Sequence, residues 1–342
     1  MGVWQNISER FSPRPSDVNG VDFGSTATKV VRIRRSGDEY ALVGTEILPA
    51  LDLAQATAHP NAFSIPLRIR ARFAAVSLNV PSMSVKLLTL PGGLDPHLDQ
   101  KLARHLGLPD DTTDRLGYHI VAEGAGRSES RVLAAALPEN EANAYMRLFA
   151  NGLPAPWSLE VSPIATLTAF TAGPVSTATD PAVGLVDFSS RFCTFSIFYR
   201  KSLVLLRRFD FGMDKILRRI TSSLNVDDTT AANILADNAF DISELIGDIM
   251  QPLFSQLILS RDFVERRENC SISNLFLTGS LANAHAAISQ IERALNLSVS
   301  IWDPFRTPKL AVPSPIPPEW DQQHWRFAAA IGAALAVLQE NE

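Results

Sequence analysis

Two five-residue stretches, Val21-Asp22-Phe23-Gly24-Ser25 and Val186-Asp187-Phe188-Ser189-Ser190, read almost alike, and each precedes two runs of alternating apolar and polar residues. Alternation of period two is the mark of half-buried strands. The chain therefore reads as two copies of one unit: an apolar strand ending in aspartate, a turn of small hydroxylated residues, and an antiparallel meander. Such a turn offers N–H groups and hydroxyls to phosphate oxygens, while the aspartate suits a metal-bound water. Two of them face to face would clamp the tail of a nucleotide. Either stretch alone reads better as an ordinary hairpin turn, and it is the pairing that shifts the reading toward the clamp.

At 342 residues the chain exceeds the size at which one core keeps growing, which agrees with two lobes. A net charge of −5 with no basic stripe excludes an electrostatic case for nucleic acid. Cys193 and Cys270 lack metal-ligand spacing and cannot frame a chain of this size, so they are expected as reduced thiols. No apolar run reaches the roughly 18 residues of a membrane span, and residues 1–19 lack the apolar core of a signal peptide. A cytoplasmic protein is expected.

In chain order, Trp4, Ile7 and Phe11 stand at helical spacing in an N-terminal arm, residues 1–19, and are followed by Pro13 and Pro15. The first meander runs from Lys29 to Arg34, turns at Ser36-Gly37-Asp38-Glu39 and returns from Tyr40 to Leu48. From about residue 74 a small α+β unit is expected, with strands from Phe73 to Val80 and from Ser84 to Leu90. Asp95 and Pro96 start a helix that turns Leu98, Leu102 and Leu106 inward and stops at Gly107. Strands from Leu116 to Ala122 and from Arg131 to Leu137 flank turn glycines Gly124 and Gly126, and a helix carrying Ala142, Tyr145, Leu148 and Phe149 follows.

After Trp157 to Val161 and an apolar helix from Pro163 to Phe170, the second copy repeats the meander over Thr194 to Tyr199 and Leu203 to Phe209. Asp214 is expected to cap the next helix, and helices at about 228–238 and 241–267 follow, the latter kinked or split at Pro252. Ser273 to Leu277 is a strand, Thr278-Gly279-Ser280 turns it into a helix, and Val299 to Trp302 is a short strand. The proline-rich run from Pro304 to Pro318 is expected extended on the surface. Asp321 caps a last helix in which Trp325 to Leu338 is apolar almost all round, so that helix is expected to be buried.

This order of parts resembles the actin-like ATPase superfamily, and in detail the PilM family of the type IV pilus inner-membrane platform. Val21 to Ser25 with Lys29, the Ser84 to Pro91 strand ending in Leu-Pro, Leu277-Thr278-Gly279, and Asp303-Pro304-Phe305 carry the resemblance, which spans about residues 20–338. It implies an α/β, ribonuclease H-like duplicated actin fold: two lobes with an inserted small α+β subdomain. The implied division gives residues 20–78, 151–178 and 319–342 to the first lobe and 79–150 to the insertion. Residues 179–225 and 271–318 go to the second lobe, and 226–270 form a helical block beside it.

By the same resemblance ATP and magnesium are the implied ligands. Asp22 and Asp187 would hold the magnesium through water; Gly24, Ser25, Thr26 and Lys29 would contact the phosphates, with Ser189 and Ser190 in the second turn and Gly279 and Ser280 under the adenosine. Ser189 and Ser280 stand where relatives commonly have glycine, Asp227 to Asn233 lacks the usual lysine, and only Glu160 or Ser162 is at hand to orient a water. Weak or absent turnover follows. The resemblance further implies a cytoplasmic scaffold binding the cytoplasmic tail of a bitopic, PilN-like inner-membrane protein in a groove between the first lobe and the insertion. It would then sit at the membrane's cytoplasmic face through that partner. A small-molecule kinase or phosphatase and a self-associating FtsA-like filament protein remain as alternatives.

Overall fold

A computed structural model of the chain describes residues 15–58, 63–92, 97–109, 113–124, 129–149, 152–237 and 240–339. The arm bearing Trp4, Ile7 and Phe11, the helix start at Asp95-Pro96, and Gly126 lie outside the described residues.

Both copies fold into sheets of one topology. In the first, β1 (Asp17–Phe23), β2 (Ala27–Ser36) and β3 (Glu39–Pro49) form the meander, the short helix α1 (Leu53–Ala58) follows, and β4 (Phe73–Leu78) and β8 (Ala155–Val161) add in parallel on the other side of β1. In the second, β9 (Ala182–Phe188), β10 (Cys193–Tyr199) and β11 (Ser202–Phe209) form the meander, and β12 (Asn274–Gly279) and β13 (Ser298–Ile301) add in parallel beside β9. The central strands β1 and β9 are buried almost throughout, as expected for strands covered on both faces. Register aligns the copies residue by residue: Asp22 stands between Lys29 and Ser77, and Asp187 between Thr194 and Thr278.

The inserted unit comprises β5 (Ser84–Pro91), α2 (Leu98–Leu106), β6 (Asp114–Ala122), β7 (Glu129–Pro138) and α3 (Glu139–Arg147), with strand order β5-β7-β6. Period-two alternation on β7 divides its residues between two cores. Val132, Ala134 and Ala136 receive Leu98, Leu102 and Leu106 of α2, while Leu133, Ala135 and Leu137 face the main core. Gly107 ends α2 in the left-handed region at φ 81°, as its position after the last leucine predicts. The strand Phe73–Leu78 does not belong to this unit; its parallel pairing with β1 places it inside the first sheet.

Three other expectations are revised. The helix α5 (Met213–Leu224) is not capped by Asp214, which lies in its first turn. Its leading N–H groups instead donate to backbone carbonyls of the second turn, Met213 to Ser189 at 3.1 Å and Asp214 to Ser190 at 2.8 Å. The helix α6 (Asp228–Ala236) is as expected, but α7 (Ser243–Glu268) runs unbroken for 26 residues past Pro252. Pro252 is exposed, so the carbonyl it leaves without an N–H faces water. In the proline-rich run, Pro304 and Phe305 are buried and Leu310–Ala311 forms β14, which pairs with β3 at the edge of the first sheet. That strand thus joins the first sheet, although the division above places it with the second lobe.

The helix α4 (Ser162–Phe170), which leaves β8, and the last helix α9 (Ala328–Gln339) lie against each other beneath the sheets. Asp321 caps only the turn before α9, accepting from the Gln323 N–H, and a 3-10 turn at His324–Phe327 intervenes. As expected, α9 is buried on nearly every side. A Cβ at Gly332 would lie 1.7 Å from the Ala165 carbonyl oxygen of α4, and one at Gly20 would lie 1.9 Å from the Ala330 oxygen of α9. Small residues here let backbones touch. The helix α8 (His285–Leu295) packs against α7 in the second lobe.

Across the lobes, Arg208 of β11 donates to the carbonyls of Met83 and Val80, in the link from β4 to the insertion, at 3.3 and 3.1 Å. Arg267 of α7 meets Glu129 of β7 at 2.9 Å.

Gly332→Ala is expected to destabilise the protein by about 3 kcal/mol or more, because the obstacle is backbone and cannot rotate away. Gly117→Ala, where a Cβ meets nothing within 4 Å, is expected to change stability by less than about 0.5 kcal/mol. Urea denaturation of the two variants checks the contrast.

Candidate functional site

Strand ends β1 and β9 bring Asp22 and Asp187 to the same cleft between the lobes, and the implied nucleotide and magnesium residues all line it: Asp22, Gly24, Ser25, Thr26, Lys29, Asp187, Ser189, Ser190, Gly279 and Ser280. Asn79, Ser162, Thr166, Arg191, Phe192, Trp325 and Arg326 line it too. The cavity measures about 200 Å³. Pockets that enclose small molecules run from about 300 Å³ upward, so this is a narrow cleft.

The first turn is open and charged. Ser25 and Thr26 are exposed, Gly24 donates its N–H to Ala27 at 3.2 Å, and a Cβ at Gly24 would meet Lys29 Nζ at 2.5 Å. Glycine here is what lets the lysine fold back over the turn. Lys29 Nζ then reaches Asp22 Oδ2 at 3.0 Å, and Asp22 Oδ1 accepts from Ser77 Oγ at 3.0 Å and from Ser162 Oγ at 2.7 Å. Of the two groups expected near an attacking water, Ser162 is thus bonded to the aspartate. Glu160 lines a different groove on the far side of α4 and is not at the cleft.

The second turn is closed on itself. Ser189 gives its N–H and its hydroxyl to the Phe192 carbonyl, each at 2.9 Å, and its hydroxyl accepts from Phe192 N–H at 3.1 Å. Gly279, at φ 86°, lies flat on the Phe188 backbone, where a Cβ would come within 2.2 Å of the carbonyl oxygen. Ser280 directs its N–H and hydroxyl at the same carbonyl, at 2.6 and 2.9 Å. Both serines that replace glycine therefore spend their hydroxyls inside the protein.

Burial raises the Asp187 pKa to about 6; the Thr166 hydroxyl lowers it, the Asp22 charge raises it, and Lys29 lowers it. Two neighbouring carboxylates that repel are the chemistry a cation relieves, and Asn79 Oδ1 is buried in the same cleft without a donor. Among the described residues no group of three or more His, Cys, Asp or Glu could ligate a metal directly. The donor set therefore suits a hydrated divalent ion and phosphate oxygens, held through water. Sequence reading missed Ser77 and Thr166. The signal for Ser77 was its matching place beside Thr278 across the duplication, legible only once the strands were paired.

The family model "Type IV pilus assembly protein PilM" matches residues 163–337. This chain belongs to the PilM family. No curated protein matches it in sequence. Among solved structures, the PilM-PilN type IV pilus biogenesis complex is similar over 95% of this chain and 99% of that one, with a TM-score of 0.78 at 17% identity. A Bacteroides thetaiotaomicron protein of actin-like ATPase fold and unknown function is similar over 84% of this chain and 91% of that one, with a TM-score of 0.51 at 10% identity. The fold of this PilM-family chain is accordingly actin-like, as its sequence implied.

Because the folded-state pKa of Asp187 lies above its usual value near 3.8, ionising it opposes folding. That cost is absent below about pH 4, grows up to about pH 6, and is complete above it. Asp187→Asn keeps the Thr166 contact and is expected to stabilise the apo protein by roughly 1–3 kcal/mol at pH 8, with the gain vanishing at pH 4. Urea midpoints at the two pH values check it.

Proposed function

We propose that this PilM-family chain is an actin-like scaffold of type IV pilus assembly that binds the cytoplasmic tail of a PilN-like inner-membrane protein. The observation that supports this reading is a groove of about 1220 Å³ between the inserted sheet and the first lobe. Its volume exceeds the roughly 1,000 Å³ upper range of small-molecule pockets and suits a peptide segment. Two of its walls are β6 and β8, each the unpaired edge of its sheet, so backbone donors and acceptors are available on both sides for strand addition. Leu133, Ala135, Ile164 and Leu167 supply apolar surface, and the β10–β11 hairpin brings Arg200 and Lys201 to the rim.

No helix among the described residues is long and apolar enough to cross a membrane. In this reading the protein reaches the cytoplasmic face of the inner membrane through its partner. ATP with magnesium is the proposed ligand of the cleft, with Asp22 and Asp187 holding the ion through water and Gly24, Ser25, Thr26 and Lys29 facing the phosphates. Turnover is expected to be weak or absent, since Ser162 is committed to Asp22.

Gly117 on β6 lines the groove and has open space around its Cβ position, so Gly117→Trp fills the groove without burdening the fold. Fluorescence anisotropy of a labelled peptide from the tail of the PilN-like partner is expected to show saturable binding. Gly117→Trp should weaken it at least about tenfold, and Gly117→Ala should leave it unchanged. Absence of binding to the wild type, or indifference to Gly117→Trp, would overturn the reading.

A further inference from the structure

Three cationic side chains line the nucleotide cleft, and their commitments differ. Lys29 is paired with Asp22 at 3.0 Å and Arg326 with Asp321 at 3.2 Å. Arg191 lines the cleft, is exposed, has no ion-pair partner within 4.0 Å among the described residues, and also borders a second pocket with Asp210 and Asp214. It rests instead over the Phe192 ring, its guanidinium carbon 5.5 Å from the centroid.

The turn that carries it already spends several polar groups within the fold. The Ser189 N–H and hydroxyl close the turn onto Phe192, and the carbonyls of Ser189 and Ser190 accept from the first turn of α5. Gly212 packs so closely under the turn that a Cβ there would lie 2.4 Å from the Ser190 oxygen. To the backbone N–H groups that such a turn presents, this one adds a planar, permanently charged fork. A guanidinium binds phosphate oxygens in bidentate fashion, and the open first turn across the cleft holds Ser25, Thr26 and Lys29.

We propose that Arg191 is the charged phosphate-recognising side chain of the second turn, binding the outer phosphates of a nucleotide. This rests on the nucleotide reading of the cleft. A second circumstance favours an anion there: the other guanidinium on Phe192, that of Arg208, lies 3.4 Å from the ring centroid. Burial first, and the Arg191 charge next, lower the Arg208 pKa to about 10. Negative charge at Arg191 relieves that repulsion.

The experiment is calorimetric titration of the full chain with magnesium-ATP, ADP, adenosine and, as a phosphate-only probe, tripolyphosphate. The proteins are the wild type, Arg191→Ala, Arg191→Lys and the charge-matched control Arg219→Ala, which changes an exposed residue of α5. Arg191→Ala is expected to weaken ATP and tripolyphosphate at least about tenfold and ADP less, to leave adenosine unchanged, and to be partly rescued by lysine. Arg219→Ala should stay within about twofold of the wild type. ATP affinity in Arg191→Ala within twofold of wild type, or an equal loss in Arg219→Ala, would overturn the assignment alone. Tripolyphosphate binding that depends on Arg191, without ATP binding, would support Arg191 and sink the nucleotide reading; binding of neither probe to the wild type would sink both.

Discussion

The site depends on a contact in which side chains are almost absent. Helix α9 lies backbone to backbone on α4 at Gly332 and Ala165, and on β1 at Gly20 and Ala330. Those contacts fix how close α4 stands to the end of β1. From that distance follows the hydrogen bond of 2.7 Å between Ser162 and Asp22. Thr166, one turn further along the same face of α4, meets Asp187 from the other lobe. One helix thus holds both aspartates, through hydroxyls four residues apart. A larger residue at Gly332 would displace the helix and with it the spacing of the two carboxylates.

Duplication gave the two turns the same scaffold, and divergence gave them different chemistry. Where β2 places Lys29 opposite Asp22, β10 places Thr194 opposite Asp187. The lysine neutralises its aspartate directly, whereas Asp187 lacks a cation across the strand pair. Burial and the neighbouring charge of Asp22 then lift its pKa. Gly24 keeps the first turn open beneath Lys29, and Ser189 knots the second turn shut through its own hydroxyl. The asymmetry is that of a cleft with one receptive wall and one rigid one.

Most of this was legible before the chain was folded, because the signals were local and periodic. Alternation marked the meanders, leucine spacing marked the inner face of α2, and the repeated Val-Asp-Phe marked the paired turns that meet in the cleft. What escaped was set by partners distant in sequence. The start of α5 is fixed by the carbonyls of Ser189 and Ser190, which no cap rule reads from Asp214. The two-residue strand at Leu310–Ala311 exists only because Tyr40 and Ala41 lie beside it. Phe305 is buried, with His324 stacked on it at 4.1 Å, although most of the proline-rich run lies on the surface as its composition suggested. Ser162 and Glu160 looked equivalent as neighbours in sequence, yet the step from strand β8 into helix α4 sends them to opposite sides.

That last separation bears on how the two cavities relate. Ser162 and Thr166 of α4 line the cleft, while Ile164, Leu167 and Thr168 of the same helix line the groove. The helix is too well packed to deform piecemeal, since interiors of this density shift between discrete arrangements rather than yielding smoothly. The groove also takes Phe198, Arg200 and Leu203 from the second lobe, so its shape, like the cleft's, depends on the angle between the lobes. A ligand that favours one setting of α4 and of that angle in the cleft therefore favours one shape of the groove. By linkage the groove's occupant must act back on the cleft with equal free energy.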